Sequence, residues 1–291
     1  MNHPAQANYL LIDGALRADA LVGLYQRHEL FEIDALYLGT RWKDLHDLGP
    51  ILIKPDSRSP LLSEWLDHES LRKDSTLIHS RANIEQVANH LRRFISPADW
   101  LGGGDLLRFA DPLVAHFWLS SYPNGSSQHL GPIEQWWVAS PRHSWESPKQ
   151  MQWQTFSGPG PEFAWDERHA LLGEDQLAAL ELAQRWRFTG RIYDWLGERN
   201  PDFFVDRADA QISRWLYSSL EAGLGWGLVT ERALAMWVEA CVDYGQDFAS
   251  RPQSPYQQWI NLDAANAGLA PEPRIRAFEL YSRTHKEVAH D

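Results

Sequence analysis

Apolar and polar residues alternate along the first 140 positions with two different periods. Tyr9 to Ile12 is a short apolar run closed by Asp13-Gly14, a turn-forming pair, and predicts a strand. Leu21, Leu24, Tyr25 and His28 then recur at the spacing of one helix face. Ile33 to Leu38 and Gly49 to Ile53 read as two further strands, and Ser59-Pro60 opens a helix whose apolar side is Leu61, Leu62, Trp65 and Leu66. Thr76 to His79 predicts a strand, followed by a helical stripe of Ile84, Val87, Ala88, Leu91 and Ile95. Leu106 to Ala110 reads as another strand. Ile133 to Val138 and Met151 to Phe156 suggest an antiparallel pair at one edge, with Ser140 to Lys149 as the loop between them.

Strands alternating with helices argue for an α/β or α+β lobe, a sheet with helices packed on it. The run Ser157-Gly158-Pro159-Gly160-Pro161 breaks regular structure, and beyond it the pattern is helical throughout. The expected organisation is an α/β lobe over 1–156, a linker over 157–172 and an all-helical lobe over 173–291. In the helical lobe Asp206 is a candidate cap for a helix carrying Ile212, Trp215, Leu216 and Leu220. Thr230 caps the next, which Gly245 stops, and Ser254-Pro255-Tyr256-Gln257 fits a capping box. A last helix covers roughly Arg274 to Lys286.

Composition narrows the function classes. A hydrophobic fraction of 44% with 23% charged residues is that of a folded globular protein. The formal net charge of −12 argues against nucleic acid or an anionic membrane as partner. The single cysteine, Cys241, excludes an internal disulfide and falls at helical spacing with Leu234, Trp237 and Val238, as a core residue would. No signal peptide and no run of about 18 apolar residues is evident, so a cytoplasmic protein without a membrane span is expected.

The search for chemistry yields little. Nucleophile elbow, zinc helix and phosphate loop are all missing from the sequence. The twelve histidines are dispersed and none has metal-ligand spacing beside a carboxylate, so no metal and no cofactor is expected. The 101–105 run Leu-Gly-Gly-Gly-Asp reads as a tight turn. Asp111-Pro112 is the most tempting carboxylate, but Asp as cap and Pro at the first helical position would start a helix holding Val114, Phe117 and Trp118. His79, at a strand end, is the best remaining base. Arg108, in an apolar segment, should pair with a carboxylate; Asp13 and Asp111 are the candidates.

Five motifs then occur in order: YLLIDGA at 9–15, ALYLGT at 35–40, LGPILI at 48–53, LLRFADP at 106–112 and HLGPIEQWW at 129–137. Together they resemble domain of unknown function 4123, found in effector adaptors and chaperones of the bacterial type VI secretion system. The segment from Gly223 to Gly245 is similar to what usually follows that domain. Family members often carry arginine directly after the Asp-Pro pair, where this chain has Leu113. The resemblance implies a non-enzymatic adaptor that binds a cognate effector and loads it onto the spike, a valine-glycine repeat protein or its tip protein. It also implies that Asp13, Gly49, Pro50, Arg108, Asp111 and Pro112 are fold signatures, with no catalytic residue.

An adaptor needs a surface, and fifteen tryptophans offer anchors. Trp136, Trp137, Trp145 and Trp153 are the first candidates for partner binding; packing between the lobes is their alternative use. Two rival functions remain at this point. One is a small α/β hydrolase-like enzyme using Asp111, His79 or His116. The other is an immunity protein that blocks the effector.

Overall fold

A computed structural model describes residues 4–98, 104–123, 127–147, 152–160 and 163–288. Six strands form one sheet: β1 (Tyr9–Asp13), β2 (Phe31–Ala35), β3 (Pro50–Pro55), β4 (Ser75–His79), β5 (Gln135–Ala139) and β6 (Trp153–Ser157). Their order is β2-β3-β1-β4-β5-β6, and every neighbouring pair is antiparallel. The α+β form of the expected class is therefore the one present, with β5 and β6 as the antiparallel pair at one edge.

The connectivity explains why the chain reads as alternating strand and helix. The helix α1 (Ala20–Gln26) links β1 to β2, while α2 (Leu61–Asp67) and α3 (Glu69–Arg72) link β3 to β4. Each crossover joins strands running the same way, but a third strand lies between them: β3 in the first case, β1 in the second. This is a split βαβ arrangement used twice.

Side-chain alternation gives the sheet two apolar faces. Tyr9, Leu11, Leu52, Ile78, Trp136 and Val138 face one core, which α4 (Ile84–Arg92) and α5 (Pro112–Ser120) close with Val87, Leu91, Ala115 and Trp118. Leu10, Ile12, Ile51, Ile53, Leu77 and Trp137 face the other, closed by Ala20 and Leu24 of α1 and Leu61 and Trp65 of α2. Burial on both sides makes the central strands continuous apolar runs, a pattern more usual in parallel sheets. Asn83 starts α4 with a full capping box: its side chain accepts from the Gln86 N–H, and the Gln86 side chain accepts from the Asn83 N–H.

Several expectations change. Leu106 to Ala110 joins no sheet; the Leu107 N–H donates to Ile95 O and the Asp111 N–H to Arg108 O, closing a turn that leads into α5. On α1 the predicted stripe holds only in part: Leu24 is buried, Tyr25 is exposed, and the helix ends at Gln26, before His28 with its left-handed backbone. Most of the 101–105 turn lies outside the described residues.

The chain forms two compact units, Met1–Arg142 with Lys149–Gln184, and His143–Pro148 with Arg185–Asp291. The division falls inside α6 (Glu174–Arg199), not at the Gly-Pro run. Ser157 still belongs to β6, the Gly158 N–H donates to Glu134 O, and Leu172 is buried in the first unit's core. The second unit packs the end of α6 with α7 (Asp209–Gly225), α8 (Glu231–Tyr244), α9 (Pro255–Leu262), α10 (Ala264–Gly268) and α11 (Pro271–Val288). Leu196, Leu216, Leu220, Trp237, Val238, Cys241, Phe248, Ile275 and Phe278 form its core. Thr230 and Ser254 cap as expected, accepting from the N–H groups of Ala233 and Gln257. The helix expected from Asp206 instead begins after Ala208, where the Gln211 side chain accepts from the Ala208 N–H.

Candidate functional site

The motif residues of the first unit meet at one end of the sheet, where β1 finishes and β3 begins. Asp13 is the last residue of β1 and stands opposite Pro50. Gly14 follows, and its N–H donates to Gly49 O at 3.0 Å. A side chain at 14 would not fit, since its Cβ would come within 2.6 Å of the Gly49 carbonyl and 2.5 Å of that of Asp47. Gly49 is held equally closely: a Cβ there would lie 2.6 Å from the Tyr37 ring. The Pro50 carbonyl accepts from the Leu36 N–H, which holds the end of β2 in place. The Asp-Gly and Gly-Pro pairs are thus two halves of one close backbone crossing.

Asp13 is buried, and its carboxylate is fully used. Oδ1 accepts from the N–H groups of Ala15 and Leu16 at 2.9 and 3.2 Å. Arg108 completes the set: Nη2 donates to both carboxylate oxygens at 3.0 Å, and Nε reaches Oδ2 at 3.3 Å. Asp111 Oδ2 lies 3.6 Å from the same Nη2, so Asp13 is the bonded partner and Asp111 an added charge. Burial pushes the Asp13 carboxyl above the ordinary carboxylate range, outweighing the pull of Arg108. The guanidinium loses some hydration too, but the hydrogen bonds and charge of Asp13 hold its pKa above the usual arginine value. Nearby Tyr37 is pushed up to about 12, by burial first and the Asp13 charge second.

Asp111 caps α5, accepting from the Leu113 N–H at 3.0 Å, with Pro112 as the first helical residue. The six signature residues therefore divide between two tasks. Asp13, Gly49, Pro50 and Arg108 tie the loop after β1 to the start of β3 and to the segment before α5. Asp111 and Pro112 start that helix.

The four tryptophans are not brought together. Trp136 and Trp137 are adjacent strand residues, so they point to opposite faces and are buried in different cores. Trp136 Nε1 donates to Thr76 Oγ1. Trp145 is buried in the second unit, stacked on His143 at 4.0 Å and donating from Nε1 to Ser213 Oγ. Trp153 is half-buried against Trp65, with ring centroids 4.9 Å apart. Each indole packs inside its own unit, not between the lobes: Trp136, Trp137 and Trp153 in the sheet unit and Trp145 in the helical unit, so the four form no joint surface anchor.

His79 sits at the end of β4, with Nε2 4.0 Å from Glu134, whose other oxygen accepts from Arg81. His116 lies on α5, and burial lowers its pKa. Among the described residues no three His, Cys, Asp or Glu side chains gather to hold a metal ion. Cys241 is buried in the helical core, and that burial pushes its thiol up to about 12. Among the described residues no helix is long and apolar enough to cross a membrane.

The sequence reading missed the leucines exposed in the loops at this end of the sheet, Leu16, Leu38, Leu45 and Leu48. Isolated apolar residues in turn segments carry no periodic signal that could have marked them.

Residues 8–129 match the family model described as Domain of unknown function (DUF4123), a span that contains the whole Asp13–Arg108 arrangement and α5. No curated protein and no solved structure matches the chain.

Proposed function

We propose that this protein is a cytoplasmic, non-enzymatic adaptor that binds a cognate type VI secretion effector and delivers it to the spike, a valine-glycine repeat protein or its tip protein. The observation that carries the reading is how the domain's signature side chains are used. Asp13, Arg108 and Asp111 are engaged with one another and with backbone N–H groups. Their place in the motifs is then accounted for by the backbone crossing and the helix start they maintain. A domain whose polar signature maintains shape acts through its surface.

Co-expression with its genomic neighbours tests the proposal. The chain should co-purify with a toxin or a spike protein at a defined stoichiometry, and deletion of its gene should stop secretion of that toxin. Intact secretion accompanied by self-intoxication would instead indicate an immunity protein. Turnover of a small substrate by the purified chain, abolished by Asp111→Asn or His79→Ala in a folded variant, would replace the adaptor by the hydrolase-like alternative.

A further inference from the structure

Fourteen large apolar side chains stand exposed among the described residues, and seven of them lie between positions 16 and 48. Four of these seven, Leu16, Leu38, Leu45 and Leu48, occupy the loops at the sheet end that holds Asp13 and Arg108. Backbone bonds gather the loops. The Leu16 N–H donates to Asp13, Gly14 pairs with Gly49 directly after Leu48, and the Leu38 N–H donates to Ala35 O at the end of β2. Leu45 belongs to the short 3-10 turn Lys43–Leu48 that leads into β3. The four leucines are 44%, 49%, 43% and 53% exposed. Scattered single leucines are ordinary on a surface; four on loops that meet at one sheet end mark an interaction site.

The charges around them select the partner. Asp19, Asp44, Asp47 and Asp105 are exposed in the same loops. Of the cations, Arg17 is held by Asp74 and Arg108 by Asp13. Arg41 donates to Ser96 and the Gly104 carbonyl, and His46 Nε2 lies 3.3 Å from Asp47 Oδ1, which leaves Arg41, Lys43 and this imidazole against four carboxylates. A second copy of this chain, itself at −12, would bring like charge to the rim.

We infer that this end of the sheet docks an effector segment that is apolar at its centre and flanked by lysine or arginine. The inference rests on the adaptor reading and specifies its contact chemistry. The leucines lose water against the apolar centre, the aspartates pair with the flanking cations, and an acidic segment is rejected by the same rim.

The test uses the full-length chain, the co-expressed effector identified in the experiment above, and fluorescent peptides tiled across that effector. Tight-binding peptides should carry an apolar centre with flanking cations, and raising salt from 0.05 to 0.5 M should weaken them about threefold. The pair Leu16→Ser with Leu48→Ser should weaken binding about tenfold. The pair Asp44→Lys with Asp47→Lys should weaken it about fivefold and reverse the salt dependence, since the rim then repels the flanking cations. The latter pair alters only exposed carboxylates, so it decides the matter if the leucine variant fails to fold. Leu262→Ser with Leu280→Ser, on exposed leucines of the helical unit, should leave binding unchanged.

If the effector does not co-purify with the unaltered chain, the adaptor reading falls and this inference with it. If it co-purifies, but the folded leucine and aspartate variants bind as the parent does, only the docking site is overturned. Tight peptides lacking cations would overturn it too, as would a self-associated chain that the leucine variant converts to monomer.

Discussion

Arg108 is the residue on which the sheet end depends most. Its side chain is 35% exposed, while that of Asp13 is 4% exposed, so the pair is unequal. Arg108→Ala strands a buried carboxylate and should cost about 3 kcal/mol in denaturant unfolding of the full chain. Adding Asp13→Asn removes the stranded charge and should recover part of that loss, a coupling that a double-mutant cycle reads directly.

Two buried imidazoles set a pH limit on the same unit. Burial pushes His90 down to about 4 and His129 down to about 3. His90 Nε2 bonds the His129 carbonyl at 2.9 Å, and the His129 ring stacks on Tyr122 at 3.6 Å. Both rings stay neutral when folded and take a proton on unfolding. Stability is therefore full above about pH 6.5 and falls as pH drops towards the folded values, by at most about 1.4 kcal/mol per unit for each ring. Unfolding midpoints measured from pH 7.5 to 4.5 should show that decline, and His129→Phe should flatten it.

At the scale of elements, caps and close approaches matter more than propensity. Thr230→Ala removes the acceptor for the Ala233 N–H and should cost about 1 kcal/mol in thermal unfolding. Gly49→Ala places a methyl against the Tyr37 ring and should cost about 1–3 kcal/mol, seen as a lower denaturant midpoint. Elements with local signals were the legible ones. Pro112, Thr230, Gly245 and Ser254 mark helix ends by chemistry contained within four residues. Strand positions in the sheet were legible as well, because both faces of β1, β3 and β4 are apolar. Strand order was not, since the split crossovers leave the same alternation as a parallel sheet. The 106–110 segment failed for a related reason: an apolar stretch reads as a strand whether it finds a sheet or, as here, lies against Ile95. At the candidate site, the Arg108 partner narrowed to two carboxylates from sequence. The choice of Asp13 depends on a contact 95 positions away that no local pattern records.

The whole molecule departs from a bead-and-linker picture. Residues 143–148 belong to the helical unit although sheet-unit residues flank them on both sides. Their attachment is specific. His143 is stacked between Trp145 and Trp186 at 4.0 and 3.9 Å and is 3.1 Å from the Tyr217 hydroxyl, while the Ser147 N–H donates to Asp209. Trp145→Ala should destabilise the helical unit by about 3–5 kcal/mol, observed as an earlier unfolding step in calorimetry. A fragment cut at 173–291 lacks this indole and should melt earlier than the same helices in the full chain.

That interleaving also has a bearing on how the polypeptide is made. As it leaves the ribosome, the strip carrying His143 and Trp145 emerges before any of the helices that will receive it. At roughly 5–20 residues per second, the two aromatic rings wait on the order of ten seconds without their final neighbours. A nascent chain stalled in that interval displays an unsheltered indole, and there a general folding helper would find its grip.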